Sequence, residues 1–297
     1  MGWGKRSLPL SGSAVYMTSY TGLHHENSFN SIFKRKWLYQ SPREILTKAS
    51  NGASDFGNKF GQPLINGSIL TFEHKENKTF YGYDKVIMLA GGIGFGKAVQ
   101  SKKFKPKKGD KVVIIGGDNY RIGMGGAAIS SSDTGIIKTQ LELNAVQRSN
   151  PEMQKRVSNA IRSMVESSNN PIVSIHDHGA GGHLNCLSEL LEECGGEVNI
   201  DNLPIGDSTL SYKEIIGNES QERMGLIICS KDIEFVSKIA KRERAPFYVV
   251  GEVTGDNNFS FFSKKNNDTP LNMKIGDLIG NSPKTIIKDQ TREDTLK

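Results

Sequence analysis

The residues with the clearest chemical potential lie between Pro171 and Ile200, in the stretch PIVSIHDHGAGGHLNCLSELLEECGGEVNI. A β-branched run there ends in His176-Asp177-His178, and a glycine-rich segment then leads into an apolar-periodic stretch. A strand end, a glycine turn and a helix start together present free backbone N–H groups to an anion. A carboxylate beside such a site is typical of Mg²⁺ binding, because Mg²⁺ takes one or two carboxylates plus substrate oxygens. Asp177 is therefore the first candidate metal ligand.

Other chemistry can be written for the same residues. Asp177 could instead cap the following helix or hydrogen-bond the turn, which short carboxylate side chains do readily. A zinc site made of His176, His178 and His183 is disfavoured, because adjacent strand and turn positions point in different directions and no second pair of ligands is nearby. Spacing alone leaves the metal and turn interpretations of Asp177 both open.

A buried strand and an amphipathic helix are predicted to position this stretch. Ile172, Val173 and Ile175 form the β-branched run typical of a buried strand. Gly195-Gly196 ends the helix that begins near His183. Spacings of three and four place five residues on one apolar helix face: Leu184, Leu187, Leu190, Leu191 and Cys194.

Two further glycine-rich segments imitate phosphate-binding loops. Gly91 to Lys97, GGIGFGK, has the spacing of a Walker A loop, but Ala98 follows where a Mg²⁺-binding Ser or Thr is needed. We expect a glycine hairpin or strand connection there. Gly116 to Gly126 follows a predicted buried strand, and Gly123 to Ala128 imitates a dinucleotide fingerprint, but this fragment is seven residues from the strand and lacks an acidic partner on a second strand. Both a phosphate-cradling loop and a packing loop beneath a helix fit that second segment.

Composition bounds the class of protein. The 297 residues contain 36% hydrophobic residues, and no apolar run approaches the roughly 20 residues of a membrane span. The N-terminus lacks the apolar region of a signal peptide. Three cysteines in apolar surroundings indicate reduced core residues in a cytoplasmic protein. A net charge of +6 fits a protein that handles anionic small molecules as well as a weak nucleic-acid binder, so charge alone does not decide.

The pattern of elements predicts an α+β fold. A strand is expected between Leu8 and Tyr20, and a helix from Ser41 to Ala49 that Asn51-Gly52-Ala53 breaks. The lysine-rich run at 102–108 marks a boundary between a partial N-terminal sheet domain, residues 1–105, and a C-terminal mixed-sheet domain flanked by helices, residues 106–285. Residues 286–297 are expected to form a charged tail or linker.

Five motifs also follow one another in a distinctive order along the chain: GGDNYRIGMGG, VQRSNPEMQKR, IHDHGAGGHLNCLSEL, NESQERMG and KRERAPFYVVGEV. This order resembles the first synthetase half of the phosphoribosylformylglycinamidine synthase family, within the aminoimidazole ribonucleotide synthetase superfamily. The resemblance extends from about Leu8 to Lys284. It implies a synthetase-like fold and part of an ATP-dependent carbon–nitrogen ligase of de novo purine biosynthesis. Such a ligase converts formylglycinamide ribonucleotide to formylglycinamidine ribonucleotide with glutamine-derived ammonia.

The resemblance also implies roles for individual residues. Asp177 would bind Mg²⁺, in agreement with the unaided interpretation. The substrate ribonucleotide would be contacted by Gln147, Glu219, Ser220 and Gln221. The loop formed by Asn66, Gly67 and Ser68 would contact a nucleotide, so ATP and Mg²⁺ are the expected cofactors.

Several family parts have no counterpart in the motifs of this chain. A glycine-rich ATP segment with an acidic metal ligand and a catalytic histidine should precede the matching region, so no catalytic residue is assigned. None of the three cysteines lies in the nucleophile elbow of a glutaminase. We therefore expect a fragment or subunit that works with a second synthetase half and a glutaminase domain or subunit, or as a homodimer. Neither nucleic acid nor a membrane is an expected partner.

Two alternative functions follow from the same pattern. In one, the chain is a non-catalytic half that binds a nucleotide structurally. In the other, it belongs to a superfamily member that acts on a different substrate.

Overall fold

The first of two main sheets is built around a long N-terminal strand. The computed structural model describes residues 8–19, 41–83, 86–123, 125, 150–280 and 283–288. Strand β1 (Leu8–Thr18) pairs in parallel with β2 (Leu64–Thr71) and antiparallel with β5 (Ile87–Phe95). Strands β3 (Glu73–Glu76) and β4 (Thr79–Gly82) come between β2 and β5 in the chain and form a separate antiparallel hairpin. The sheet order is therefore β2-β1-β5.

Helix α1 (Pro42–Phe60) connects β1 to β2 and packs against both. It begins with a capping box between Ser41 and Glu44 and ends at Gly61, whose φ of 71° suits a left-handed cap. The expected break at residues 51–53 is wrong, because the helix continues through them. Packing of its C-terminal half, where Phe60 is buried and stacks on Phe56 at 4.3 Å, outweighs the weak helix propensity of glycine.

The Walker-like glycines are part of a strand. Gly91 and Gly92 pair with Ser13 and Gly12 in the antiparallel ladder between β5 and β1, so the expected hairpin or connection at this point is wrong. A Cβ added to Gly91 would lie 3.0 Å from Ser13 Oγ. Glycine is used here for close approach between two strands, as often occurs inside sheets.

The second sheet has seven strands in the order β12-β11-β8-β10-β6-β9-β7. The β8–β11 pair is parallel and every other pair is antiparallel, so the sheet is mixed. Its strands are β6 (Lys111–Ile115), β7 (Ile172–His178), β8 (Gly196–Asn199), β9 (Ser220–Ile228), β10 (Phe247–Val253), β11 (Asn258–Ser263) and β12 (Asp268–Lys274).

Two helical layers cover the two faces of this sheet. Helices α2 (Pro151–Val165) and α5 (Ile233–Arg242) pack over Val113 and Ile115 of β6. Helices α3 (Gly182–Leu191), α4 (Tyr212–Gly217) and α6 (Ile275–Ile279) cover Val112 and Ile114. The last four side chains of β6 are fully buried, which explains why this central strand is apolar almost without alternation.

The α+β class and the flanked mixed sheet are confirmed. The first sheet ends at Phe95 and the second begins at Lys111, but the exact boundary at residue 105 stays a prediction. Most of the expected tail at 286–297 lies outside the described residues. Among the residues that are described, no helix has the length and apolar character needed to cross a membrane.

Two glycines provide a matched test of this packing. Gly251 lies where β10 passes β8, and an added Cβ would fall 2.1 Å from the Glu197 carbonyl oxygen. We expect Gly251→Ala to lower the free energy of unfolding by roughly 1–3 kcal/mol, because the strands must separate. Gly52 is an exposed position in α1 with no atom within 4 Å of an added Cβ. Gly52→Ala should raise stability by about 0.5–1 kcal/mol.

Urea unfolding of both variants beside the wild type gives the two free energies. Equal effects of the two substitutions would contradict the close strand approach at Gly251.

Candidate functional site

The predicted strand, glycine turn and helix are present at residues 172–191. Strand β7 ends at His178, and α3 begins at Gly182 after Gly181, whose φ of 83° places it in the left-handed region. Gly182 also has a positive φ, 58°, and its N–H donates to the Gly179 carbonyl at 3.0 Å. No side chain caps the start of α3, so the glycine turn leaves the first N–H groups of the helix without a side-chain partner.

Asp177 lies at the exposed end of β7, at the entrance to this turn. Its Oδ1 accepts a hydrogen bond from the Gly179 N–H at 3.1 Å, which is the turn interpretation left open by the sequence. The bond occupies one of several acceptor sites on the carboxylate, and the exposed side chain keeps the others available. The turn contact and a metal contact are therefore compatible at Asp177.

The predicted substrate-binding segment lies on the neighbouring strand. β9 begins at Ser220, and Ser220 is the register partner of His178. Glu219 and Ser220 are 8% and 6% exposed, and Ser220 Oγ has no hydrogen-bond partner among the described residues. Gln221 follows on the same strand. The tertiary structure thus places the 219–221 segment beside the strand end that carries Asp177.

The two motifs meet through backbone contact. A Cβ added to Gly182 would lie 2.4 Å from the carbonyl oxygen of Asn218, the residue just before Glu219. Only a glycine can lie this close at this φ, since any side chain would collide with the backbone. This contact brings together the exposed Asp177 carboxylate, the start of α3 and the largely buried side chains of Glu219 and Ser220, and this region is called the rim below.

The glycine-rich loop after β6 is hydrogen-bonded to the same segment. The Glu219 N–H donates to the Gly123 carbonyl at 3.0 Å, and Asn218 Nδ2 donates to the carbonyls of Tyr120 and Ile122. The backbone of Asn119 is paired with the chain at Pro204 and Gly206. These bonds favour the packing interpretation for the described part of the loop, while most of its fingerprint-like end lies outside the described residues.

A fully buried polar network lies behind the rim. Arg223 donates to the carbonyl and Oδ1 of Asn218 at 2.8 and 2.7 Å, and its Nη1 lies 3.3 Å from His183 Nε2. Asn119 Nδ2 lies 3.2 Å from the same ring nitrogen. Two donors at Nε2 assign it as the acceptor, so His183 carries its proton on Nδ1 and donates to His178 Nε2 at 2.9 Å.

The charge of this network follows from its burial. Burial, and then the charge of Arg223, lower the pKa of both His178 and His183 well below the usual range, so both rings are neutral near pH 7. Burial also lowers the pKa of Arg223, to about 10, which leaves the guanidinium positively charged. One cation and two neutral imidazoles therefore lie beneath the rim.

The three histidines do not converge on one point. His178 and His183 bond to each other, whereas His176 Nε2 pairs with Glu189 Oε2 at 2.6 Å on the partly exposed side. Within the described ranges, no group of three or more His, Cys, Asp or Glu side chains is arranged to hold a metal ion. A single exposed carboxylate such as Asp177 is compatible with the Mg²⁺ pattern in which one carboxylate is joined by substrate oxygens and water, and its role as a metal ligand stays a prediction.

The remaining predicted residues either belong to the first sheet or fall outside the described residues. Asn66, Gly67 and Ser68 are exposed on β2 of the first sheet, so their expected loop conformation is wrong. Hydrogen bonding to β1 requires the extended conformation there, and Gly67 lies directly against the Ala14 carbonyl. Gln147 lies outside the described residues, as does the side chain of Gln221.

Comparison with known proteins places this geometry in a family. Residues 107–264, more than half of the chain, match the family model "AIR synthase related protein, C-terminal domain". The chain belongs to the AIR synthase related family. The matched region contains Asp177, Glu219, Ser220, Gln221 and the whole buried network.

Individual relatives agree with this family. The chain is 40% identical over 259 residues to phosphoribosylformylglycinamidine synthase of Dictyostelium discoideum, which covers 85% of this chain and 19% of the relative. For the Drosophila melanogaster protein of the same name the identity is 34% over 319 residues, with 99% and 23% covered. The chain thus spans about a fifth of the length of these AIR synthase relatives.

Solved structures show the same fold. Thermotoga maritima PurL complexed with FGAR matches with a TM-score of 0.72 at 22% identity, over 97% of this chain and 42% of that one. The same protein complexed with ATP matches with a TM-score of 0.65 at 22% identity, over 96% and 40%. At this identity the likeness establishes the fold of the AIR synthase family and no more.

Sequence reasoning missed the residues of the buried network as a set. Asn119, His178, His183, Asn218 and Arg223 come from three separate motifs, and no single motif predicts that they meet. The one available signal was Arg223, a charged residue one position before the apolar run of β9. A charge inside such a strand is rarely buried without partners, so it predicts polar groups on facing elements.

The neutral state of His183 makes a prediction about pH. Its pKa is lower in the folded chain than in the unfolded chain, so the unfolded state binds more protons below about pH 6.5 and stability falls as the pH falls. His183→Gln removes this effect and keeps an acceptor for Arg223. Between pH 6 and pH 5 the variant should lose less free energy of unfolding than the wild type, by up to about 1.4 kcal/mol per pH unit.

Urea unfolding at several pH values measures the slope. The control is His74→Gln, because His74 is exposed on β3. A wild-type slope in the His183→Gln variant would show that His183 does not stay neutral in the fold.

Proposed function

We propose that this chain is a synthetase portion of a phosphoribosylformylglycinamidine synthase. The whole enzyme would use ATP to phosphorylate the amide oxygen of formylglycinamide ribonucleotide, and glutamine-derived ammonia would then displace phosphate to give the amidine. The observation that carries the proposal is the meeting of the Asp177 strand end with the Glu219–Gln221 segment at one rim. Binding of FGAR by the Thermotoga protein of the same fold supports the substrate class.

The rim is suited to an anionic, metal-bound ligand. The N–H groups at the start of α3 that no side chain caps are donors, and Asp177 presents an exposed carboxylate beside them. When bound, Mg²⁺ at Asp177 would neutralise negative charge on phosphoryl oxygens. The ribonucleotide would be oriented by Glu219, Ser220 and Gln221, together with Gln147. Holding the reacting groups in the right geometry would lower the activation barrier.

We place the nucleotide on the first sheet. Asn66, Gly67 and Ser68 are exposed on β2, so this part of the strand is accessible to a ligand. ATP binding by the Thermotoga neighbour supports a nucleotide in this fold. Whether that nucleotide is consumed or structural is tested by the activity of Ser68 and Gly67 variants in the assembled enzyme.

The first sheet offers the surface for a second synthetase half. Large apolar side chains on its three strands are exposed, and a monomeric protein rarely leaves so many of them together in water. Its exposed members are Leu10, Ile65, Ile69, Leu70, Ile87, Met88, Leu89, Ile93 and Phe95. Because the chain spans only about a fifth of its relatives, the second half and a glutaminase domain or subunit are the proposed partners. A homodimer would cover the same surface.

The proposed compartment is the cytoplasm. All three cysteines, Cys186, Cys194 and Cys229, are free, and burial raises the pKa of each thiol. Protonated, unreactive cysteines suit a reducing compartment. We propose no nucleic-acid or membrane partner.

Ligand titration tests the function. Calorimetry of the chain with formylglycinamide ribonucleotide and Mg²⁺ should show saturable binding. Glu219→Ala and Gln147→Ala should each weaken it by about 1 kcal/mol or more, the scale of a lost hydrogen bond to a charged group. Asp177→Asn, or omission of Mg²⁺, should remove the metal-dependent part of the affinity.

Glu234→Ala is the matched control, because that carboxylate is exposed on α5, over the opposite face of the second sheet. Failure of the folded wild type to bind, alone and with a supplied second half, would overturn the proposed substrate. Binding that survives every rim substitution would overturn the proposed site.

The apolar surface of the first sheet has a separate test. Without its partner the chain should self-associate with rising concentration, and Ile93→Lys should abolish this because a charge cannot be buried there without a partner. Sedimentation velocity measures the association. Ile287→Lys is the control, since Ile287 is 83% exposed outside the sheets. Equal loss in both variants would contradict an interface on β5.

A further inference from the structure

Arg223 is the largest fully buried side chain described in the chain. Its three hydrogen-bond acceptors, Asn218 O, Asn218 Oδ1 and His183 Nε2, are all neutral. Among the described residues Arg223 forms no ion pair, although the carboxylates of Glu222 and Asp118 are near enough to favour its charged form. A buried cation of this kind is expensive, and an apolar side chain of similar volume is often at least as stable. The contacts of Arg223 therefore point to a role in holding a specific arrangement.

Arg223 holds the predicted substrate-binding segment, residues 219–221, which is called the substrate segment below. Arg223 bonds back to Asn218, five residues earlier, so one side chain closes both ends of the segment that contains Glu219, Ser220 and Gln221. Asn218 in turn donates to the carbonyls of Tyr120 and Ile122 in the loop after β6. The segment is thus clamped at its two ends and along one side.

The same guanidinium also reaches the glycine turn. Its Nη1 contacts His183 Nε2 in the first turn of α3, one residue after Gly182, which lies against the Asn218 backbone. Gly116 leaves the room for this route, because a Cβ there would fall 2.7 Å from Arg223 Cγ. Arg223 therefore joins three elements: the substrate segment, the turn behind Asp177 and the loop after β6.

We propose that Arg223, with His183 as its acceptor on α3, is a positioning residue that fixes the Glu219–Gln221 segment relative to the Asp177 turn. The proposal rests on the proposed function for its ligand, formylglycinamide ribonucleotide. Arg223 itself is completely buried and does not contact the substrate. It acts by keeping the two halves of the rim in register, so that the ligand does not have to order them on binding.

The first test measures order without any ligand. In Arg223→Met, amide hydrogen exchange of residues 219–222 should become about tenfold faster or more. In the wild type, local opening of this segment must break the hydrogen bonds from Arg223 to Asn218 and His183, and the variant lacks these bonds. Exchange in the β6 and β10 core should stay at the wild-type rate. Unchanged exchange at 219–222 in a folded variant would overturn the proposal, whatever the chain binds.

The second test uses an acceptor pair at His183. His183→Leu leaves Arg223 Nη1 without its acceptor on α3, whereas His183→Gln supplies an amide oxygen. Substrate affinity should fall about tenfold, equivalent to 1.4 kcal/mol, in Arg223→Met and His183→Leu and should be largely restored in His183→Gln. Equal affinities in His183→Leu and His183→Gln would overturn the role of His183.

Two controls separate this proposal from the proposed function. Arg242→Met removes an arginine that bonds Ser163 and Glu243 at the surface and should change neither exchange nor affinity. Because the proposed ATP site lies on the first sheet, ATP affinity should be the same in Arg223→Met, His183→Leu and His183→Gln. If the wild type itself fails to bind the ribonucleotide, the proposed function is wrong, while hydrogen exchange still decides whether Arg223 positions the segment.

Discussion

The close approach between Gly182 and the backbone of Asn218 is the constraint on which the candidate site depends. A single added methyl group at Gly182 would lie 2.4 Å from a carbonyl oxygen, and the positive φ of the residue would also be strained. With this contact, the exposed carboxylate at the end of β7 and the segment at the start of β9 belong to one surface. Without it, two motifs more than thirty residues apart in the chain would have no reason to act together.

The second sheet holds in place the two segments that make this contact. Both faces of β6 are buried beneath helices, and β9 and β7 extend from it as the last two strands of the sheet. Strand register places Asp177 opposite Met224, and an irregularity between Asp177 and His178 then brings His178 opposite Ser220. Arg223, Asn218 and His183 hydrogen-bond to one another behind that pair, whereas Asn119 Oδ1 and Arg223 Nε have no hydrogen-bond partner among the described residues.

The first sheet has a different physical character. Ala14, Tyr16 and Thr18 of β1 are buried, whereas nearly all of β2 and β5 is exposed. The two sheets therefore differ in burial: helices cover both faces of the mixed sheet, whereas the first sheet leaves many large apolar side chains exposed.

Local pattern in the sequence was sufficient for the α+β class, the strand–glycine–helix unit around Asp177 and the apolar face of α3, because these depend on periodicity and on the conformations open to glycine. Motif order was sufficient for the family. Tertiary structure alone decided that α1 continues through Gly52, that Gly91 lies within a strand and that Asn66 to Ser68 are extended, since packing and strand pairing outweigh local propensity. It also decided the network around Arg223, because its members come from distant segments and no periodicity records which buried polar groups will face one another.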